Sequence, residues 1–241
     1  MAKSLEDWMN THVKKYKEYD IRTLSNILFF REETRAIFPN RDIFFSPADG
    51  VILYQKIVNP GEPIIEIKGK NYELNHVLGS DKLVTGPALV IGIFMTFYDV
   101  HVNRIPYGGI LNYKSLDAIQ SNNMPMLFVE HGLFANDTKY AIRNAKYLFN
   151  NERMLNRIFS PKLKYTYYLV QIADEDVDTI ANFSPFQGEY MCQHDRFSFI
   201  RWGSQVDLVL PLDDRFEFET LIPDFYHVEG TNDALVKIHR K

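Results

Sequence analysis

The chain has 241 residues, of which 46% are hydrophobic, and a formal net charge of -4 at pH 7. This composition supports a folded core and excludes global disorder, and the small charge gives no general attraction to nucleic acid. The single cysteine, Cys192, excludes an internal disulfide and fits a reducing compartment. No secretory signal is apparent at the N-terminus, and the longest apolar run, residues 88–97, is too short to span a bilayer as a helix.

Residues 4–38 are predicted to be helical. Leu5, Trp8 and Val13 fall on one face at helical spacing, and Pro39 follows the end of the pattern. Two interpretations of this segment remain open. It forms a helical pair packed on the core, or a helix that lies at a membrane interface through its aromatic residues.

From Ile43 onward, short runs rich in Val, Ile, Phe and Tyr alternate with turn residues. This pattern predicts an α+β fold with a β-rich sandwich or barrel core and the N-terminal helices at its margin. The predicted division is a helical segment over residues 1–40 and a larger domain over residues 41–241. A further helix is predicted over residues 137–150. The predicted strands are Val51–Ile57, Ile64–Ile67, Ala88–Phe97, Ile110–Tyr113, Met126–Val129, Tyr165–Ala173, Phe197–Trp202 and Val206–Leu210.

Residues 139–164 are locally basic, with aromatic side chains between the lysines and arginines. A solvated face and a surface facing anionic lipid both account for this segment. Nucleic acid is disfavoured as a partner, because the rest of the chain is not basic.

Three short segments carry side chains capable of chemistry. They are Ser46-Pro-Ala-Asp-Gly50, Tyr98-Asp-Val-His-Val-Asn-Arg104 and Trp202-Gly-Ser-Gln205. Each has an ordinary structural interpretation: a turn, a structural histidine and a turn between strands. Together they supply an acid, a base and a hydroxyl nucleophile, which is the composition of a serine hydrolase triad. The chain has no Gly-x-Ser-x-Gly elbow that would present an exposed nucleophile.

The three segments resemble, in the same order, the motifs of the phosphatidylserine decarboxylase family. The first is similar to its Ser-Pro-x-Asp-Gly block, and the second to the Asp-Val-His-Val-Asn-Arg block of its shorter branch. The third resembles the Gly-Ser processing site and the strand that follows it, here Gly-Ser-Gln-Val-Asp-Leu-Val-Leu-Pro. The resemblance runs from about Phe45 to Pro211.

The resemblance implies that the chain is a zymogen that cuts itself between Gly203 and Ser204. Asp49 would orient His101, and His101 would deprotonate Ser204, whose hydroxyl attacks the Gly203 carbonyl and forms an ester. Elimination then releases Gly203 as a new C-terminus, and hydrolysis of the residue left at position 204 gives a covalent pyruvoyl group. The mature enzyme would be a heterodimer of Met1–Gly203 and Ser204–Lys241.

The implied reaction converts phosphatidylserine to phosphatidylethanolamine and carbon dioxide through a Schiff base on the pyruvoyl group, without PLP or a metal. His101 is the first candidate for proton transfer. Many family members carry a second histidine three residues before the triad histidine, and Tyr98 stands there in this chain. Tyr98 and His76 are therefore candidate proton donors, and Asn103 and Arg104 are candidate contacts for a phosphate or carboxylate.

The expected partners are a phospholipid and the membrane surface, contacted peripherally from the cytoplasm, and a homo-oligomer is compatible with the sequence. Three alternatives remain open. The same machinery could decarboxylate a soluble amino acid, an uncleaved β-domain could bind lipid or protein, or a hydrolase could keep its serine intact.

Overall fold

Antiparallel strands dominate the computed structural model, which describes residues 1–31, 33–67, 70–116, 127–145, 148, 151–173, 180–201 and 204–241. The helices are α1 (Leu5–Trp8), α2 (Lys14–Tyr16), α3 (Ile21–Asn26), α4 (Leu74–Leu78), α5 (Leu127–Phe134) and α6 (Thr138–Arg143), with a π-helical turn at Met9–Val13 and a 3-10 turn at Leu28–Phe30. The strands are β1 (Lys3–Ser4), β2 (Ile43–Phe45), β3 (Gly50–Val58), β4 (Pro63–Ile67), β5 (Lys70–Glu73), β6 (Ala88–Met95), β7 (Val102–Arg104), β8 (Gly109–Leu116), β9 (Arg153–Ser160), β10 (Tyr165–Ile172), β11 (Ile180–Asn182), β12 (Glu189–Met191), β13 (Arg196–Ile200), β14 (Ser204–Pro211), β15 (Phe216–Thr220), β16 (Tyr226–Val228) and β17 (Ala234–Arg240).

The largest sheet has the strand order β1-β16-β3-β6-β14-β10-β9-β8-β12, and each neighbouring pair is antiparallel. Its central strand β6 is buried along its whole length, because the sheet is covered on both faces. One face packs on a cluster that includes Trp8 and Val129, and the other on a cluster that includes Phe44 and Phe197. The N-terminal helices therefore belong to the margin of a β-rich core, and the predicted α+β class is confirmed.

The ends of neighbouring strands position the two candidate catalytic residues, His101 and Ser204. Ser204 begins β14 and pairs with Met95, the last residue of β6. The loop from Thr96 to His101 follows directly and leads into β7, which pairs with β13 in a three-stranded sheet. The amide of Ile200, the last residue of β13, donates to the His101 carbonyl over 3.1 Å. The register of three strands thus brings His101 to the start of β14.

The strand predicted over 126–129 is wrong, because residues 127–134 form helix α5. A four-residue apolar run does not distinguish a strand from one side of a buried helix, and here Val129 and Leu133 bury that side in the core. Met126 itself lies outside the described residues. The helix predicted over 137–150 is interrupted within the described part: α6 ends at Arg143, residues 144 and 145 are not helical, and residue 148 is helical again.

The N-terminal helical prediction is correct only as far as Phe30. Residues 33–40 have no regular secondary structure and run along the domain. We call residues 28–35 the strap; Glu32 within it lies outside the described ranges. After the 3-10 turn the described part of the strap has no regular secondary structure, and its arginines donate to the domain: Arg31 to the Tyr98 carbonyl over 3.0 Å and Arg35 to the Asp49 carboxylate.

The basic segment over 139–164 does not form one surface. Arg153 is buried, and its guanidinium donates to the carbonyl of His76 in α4. Arg157 and Lys162 are exposed on β9 and the turn that follows it. Part of the positive charge of this segment therefore supports the core and does not face solvent. Among the described residues, no helix has the length and apolar character needed to cross a membrane.

Candidate active site

His101 and Ser204 lie in contact inside the protein. The Ser204 hydroxyl oxygen is 3.3 Å from Nδ1 of His101, and both side chains are fully buried. They are 103 residues apart in sequence and meet because β6 and β13 end, and β14 begins, at the same place in the fold. A hydroxyl beside an imidazole nitrogen is the arrangement in which histidine removes the proton from a serine nucleophile.

The surroundings of His101 favour its neutral form at rest. The ring of Phe29 stacks on the imidazole with 3.6 Å between centroids and 7° between planes. Burial lowers the pKa of His101 to about 4, although hydrogen bonds to the Thr96 and Ile200 carbonyls and the charge of Asp99 act in the opposite direction. A neutral imidazole has a free lone pair, so the base is ready for the Ser204 proton at physiological pH.

Among the described contacts Asp49 has no hydrogen bond to His101, and its orienting role stays a prediction. Its carboxylate accepts two hydrogen bonds from Arg35, at 2.5 and 2.6 Å, and one from the Gly230 amide at 2.7 Å. Arg35 belongs to the strap, and both partners of the ion pair are almost completely buried. Burial alone would lower the pKa of Arg35, but the Asp49 carboxylate holds it above its usual range. Asp49 therefore anchors the strap to the domain.

Another acid, Asp99, lies in the loop next to His101. Its carboxylate accepts hydrogen bonds from the amide and the hydroxyl of Thr96, both at 2.8 Å, and from Nε2 of His227 at 2.6 Å. Burial alone would raise the pKa of Asp99, but His227 and the Thr96 amide lower it to about 2. The group is therefore a buried carboxylate at neutral pH.

The two candidate proton donors occupy different places. Tyr98 packs against Trp8 and Phe134, and burial followed by the charge of Glu130 raises the pKa of its hydroxyl, which stays protonated. His76 lies in α4, where its ring accepts a hydrogen bond from the amide of Glu73. Tyr98 is the nearer of the two to His101 along the chain and belongs to the same loop.

The two candidate ligand contacts point into other networks. Asn103 is fully buried and accepts a hydrogen bond from Gln171 over 2.7 Å. Gln171 in turn donates to Ser198 over 2.9 Å, which links β7, β10 and β13. Arg104 donates to the His194 carbonyl over 3.2 Å. Both residues thus have structural partners next to the site.

Gly203, the other half of the predicted cleavage site, lies outside the described residues together with Trp202. Within the described ranges, no three His, Cys, Asp or Glu side chains are grouped closely enough to hold a metal ion. A cleft of about 260 Å³ opens beside the strap and is lined by Ser25, Asn26, Phe30, Phe199 and Arg201. Its lining residues Phe30 and Phe199 are the chain neighbours of Phe29 and Ile200, both of which contact His101.

Sequence reasoning missed the strap and the loop carboxylate as parts of the site. No spacing or motif marks Phe29 or Arg35 as a neighbour of residues further along the chain. The signal for Asp99 was present, because it lies two residues from His101 inside the quoted motif.

The buried residue Asp207 on β14 makes the stability of the fold depend on pH. The residue is fully buried on β14 and accepts hydrogen bonds from Tyr54 at 2.9 Å and from Gln205 at 2.6 Å. Burial raises the pKa of Asp207 to about 7. An unfolded Asp ionises near pH 4. Between pH 4 and pH 7 the folded chain therefore keeps a proton on Asp207 that the unfolded chain has lost.

We therefore expect replacement of Asp207 by asparagine to change stability in a pH-dependent way. The neutral carboxyl is fully stabilising below pH 4, and its contribution is lost as the pH rises through about 7. Relative to Asp207→Asn, the unfolding free energy of the parent chain should fall by up to about 4 kcal/mol between these limits. Urea denaturation at several pH values measures this difference. A difference independent of pH would contradict the buried, protonated state.

The chain matches proteins of known family over most of its length. The family model described as phosphatidylserine decarboxylase matches residues 25–224. A protein of Methanothermobacter thermautotrophicus, provisionally named an archaetidylserine decarboxylase proenzyme, is 32% identical over 184 residues, which cover 76% of this chain and 69% of the relative. The phosphatidylserine decarboxylase proenzyme of Amoebophilus asiaticus is 28% identical over 88% of this chain and 75% of its own length.

The proenzyme of the same name from Ehrlichia canis is 31% identical over 186 residues, which cover 77% of this chain and 65% of the relative. The family match begins at residue 25, so it includes the strap as well as the three motif segments. The chain belongs to the phosphatidylserine decarboxylase family, a family of decarboxylases.

Proposed function

We propose that the protein is a self-cleaving, pyruvoyl-dependent decarboxylase of a serine phospholipid. Phosphatidylserine, the substrate in the names of the bacterial relatives, is the first candidate. Archaetidylserine, named for the Methanothermobacter relative, is the second. The observation that carries this proposal is the contact between the Ser204 hydroxyl and Nδ1 of His101 in a fully buried site.

The proposed cleavage uses this contact in its first step. His101 accepts the proton of Ser204, and the alkoxide attacks the carbonyl carbon of Gly203, so that the amide becomes an ester and the amine of residue 204 is freed. Removal of the α-proton of residue 204 breaks the ester bond and expels Gly203 as a carboxylate. One water then replaces the resulting enamine nitrogen, which leaves as ammonia, and the new N-terminus of the second chain is a pyruvoyl group.

The chain offers a suitable place for that group. Position 204 is buried in the uncut chain, pairs with Met95 of β6, and has His101 in hydrogen-bonding range. A pyruvoyl group supplies an electron sink for the electrons left when carbon dioxide departs. His101 remains at hand to hold or return a proton, and Tyr98 on the same loop keeps its hydroxyl proton.

We propose peripheral contact with a membrane, because a phospholipid substrate resides there. Exposed apolar side chains adjoin the cleft beside the strap: Ile27, which follows the lining residue Asn26, is 62% exposed, and Phe183 is 50% exposed. Phe183 packs on Phe199, which lines the cleft. Such a group of apolar side chains is typical of a lipid or protein contact. The group includes part of the N-terminal segment predicted to touch lipid.

The first test is the mass of the purified protein. We expect two fragments, Met1–Gly203 and the segment from position 204 to Lys241 with a blocked N-terminus. The variant Ser204→Ala should give only the full-length mass, because it lacks the attacking oxygen. The matched control is Ser160→Ala, which removes another fully buried hydroxyl, at the end of β9.

A full-length mass for the parent protein under native expression would overturn the proposal, and so would cleavage of Ser204→Ala at the same bond. The substrate is then identified by carbon dioxide release from phosphatidylserine vesicles, archaetidylserine vesicles and free serine. Release from free serine alone would replace the lipid by a soluble amino acid. No release, with cleavage intact, would contradict the decarboxylase activity.

A further inference from the structure

The cleft beside the strap is lined by three separate parts of the chain. Ser25 and Asn26 come from the end of α3, Phe30 comes from the strap, and Phe199 and Arg201 come from the end of β13 and the residue after it. Among these lining residues, Arg201 alone carries a charge. An exposed cation beside polar and aromatic side chains suits a ligand that is both anionic and partly apolar.

The guanidinium of Arg201 is accessible to such a ligand. The residue is exposed, and no carboxylate of the described residues lies at ion-pair distance from it. Two other exposed arginines, Arg215 and Arg240, each pair with an aspartate. Arginine binds a phosphate through two parallel N–H donors, so an exposed guanidinium in a cleft, without an ion-pair partner, favours an anion of this kind.

Arg201 lies close to the reacting position. It follows Ile200, whose carbonyl is 3.2 Å from Nδ1 of His101. Three residues of extended chain span about 10 Å at most, so the backbone of Arg201 lies within that distance of Ser204 before cleavage. Self-cleavage would not release Arg201, because the preceding residue, Ile200, pairs with Ile180 on β11 and donates its amide to the His101 carbonyl.

A serine phospholipid carries two anionic groups, and the reaction treats them differently. The carboxylate leaves as carbon dioxide, so a cation bound to it would stabilise the substrate more than the transition state and slow the reaction. The phosphate is joined to the reacting carbon through a methylene and an ester oxygen, and it is unchanged in the product. An arginine beside the site therefore assists binding without opposing the reaction only if it contacts the phosphate.

We propose that Arg201 binds the phosphate of the serine phospholipid and that the cleft holds the headgroup. The cleft volume of about 260 Å³ is below the range of about 300–1,000 Å³ that encloses a drug-sized ligand, so the acyl chains remain outside, next to the exposed side chains of Ile27 and Phe183. This assignment rests on the decarboxylation proposed above. It makes Arg201 a residue that selects a serine phosphodiester over free serine.

The first experiment measures carbon dioxide release from the serine lipid, diluted in micelles of a neutral detergent so that the micelle surface carries little charge. Arg201→Gln should raise KM about 10-fold or more and leave kcat within about threefold of the parent, because the phosphate contact is the same in substrate and transition state. The matched control, Lys237→Gln, removes an exposed cation on β17 and should change neither constant. An unchanged KM for Arg201→Gln, or an equal rise in the control, would overturn the assignment.

The second experiment uses the full Ser204→Ala chain, so it remains informative if Arg201→Gln cleaves slowly. A phosphorus NMR titration with glycerophosphoserine, which has the headgroup but no acyl chains, should show saturable binding that Arg201→Gln weakens about 10-fold or more. Adding Lys237→Gln instead should leave this binding unchanged. Absence of binding, or binding that Arg201→Gln does not affect, would contradict the assignment.

The outcomes separate this inference from the proposed function. If the parent releases no carbon dioxide but the uncut chain binds glycerophosphoserine through Arg201, decarboxylation is wrong and the phosphate site stands. If the parent decarboxylates the lipid and Arg201→Gln matches it in KM and in binding, the phosphate site alone is wrong. A merely structural role for Arg201 would lower the yield of folded protein without changing the KM of the folded fraction.

Discussion

Replacing His101 with alanine is expected to leave the purified protein as one uncut chain. The imidazole lies within reach of the Ser204 hydroxyl, at 3.3 Å, and both side chains are fully buried. Loss of a positioned general base costs about 100-fold to 10,000-fold in rate. Intact-mass measurement at a series of times after synthesis gives the rate directly.

The matched control is His194→Ala, because His194 is also a buried histidine but packs on Phe45 away from Ser204. It should cleave at nearly the parent rate. Cleavage of His101→Ala at the parent rate, with the control also normal, would mean that another group removes the serine proton. Equal loss in both variants would indicate a general requirement for packing and would contradict a specific role for His101.

Removal of the strap anchor should destabilise the protein strongly. In Arg35→Ala, Asp49 stays buried with a charge that has lost its partner, and such broken buried pairs cost about 3–5 kcal/mol. Urea denaturation of the Ser204→Ala chain with and without Arg35→Ala measures this loss on a chain that remains whole. Arg215→Ala, which breaks an exposed ion pair with Asp213, should cost less than about 1 kcal/mol.

A double variant makes this prediction more specific. If the loss comes from the unpaired Asp49 carboxylate, then Arg35→Ala/Asp49→Ala should be less destabilised than the sum of the two single variants. Strict additivity would instead show that the two side chains act independently. A stability change below about 1 kcal/mol for Arg35→Ala alone would contradict the buried anchor.

The strap connects the stability of the fold with the surroundings of His101. Phe29, whose ring covers His101, and Arg35, which is tied to Asp49, belong to the same eight-residue segment. Release of the strap would expose the imidazole to water and remove the burial that keeps its pKa near 4. The anchor therefore maintains the dry surroundings of the Ser204–His101 contact.

The amino-acid sequence by itself determined the strand-rich core, and the family resemblance of its motifs implied the pairing of His101 with Ser204. Runs such as Ala88–Met95 are apolar throughout because the strand is covered on both faces, so their residue types alone mark them as buried strands. The ordered motifs indicated the family, which the comparisons confirmed. The strands and the motifs could be recognised because each is a short, continuous stretch of chain.

Only the tertiary structure showed what surrounds the two acids near the site. Arg35 donates to the Asp49 carboxylate, while the Asp99 carboxylate holds Thr96, whose carbonyl lies 3.0 Å from Nε2 of His101. The helix at 127–134 was likewise settled by packing, because a short apolar run fits either element. Hydrogen bonds between side chains and distant backbone groups depend on where the chain returns in space, and no local pattern records that position.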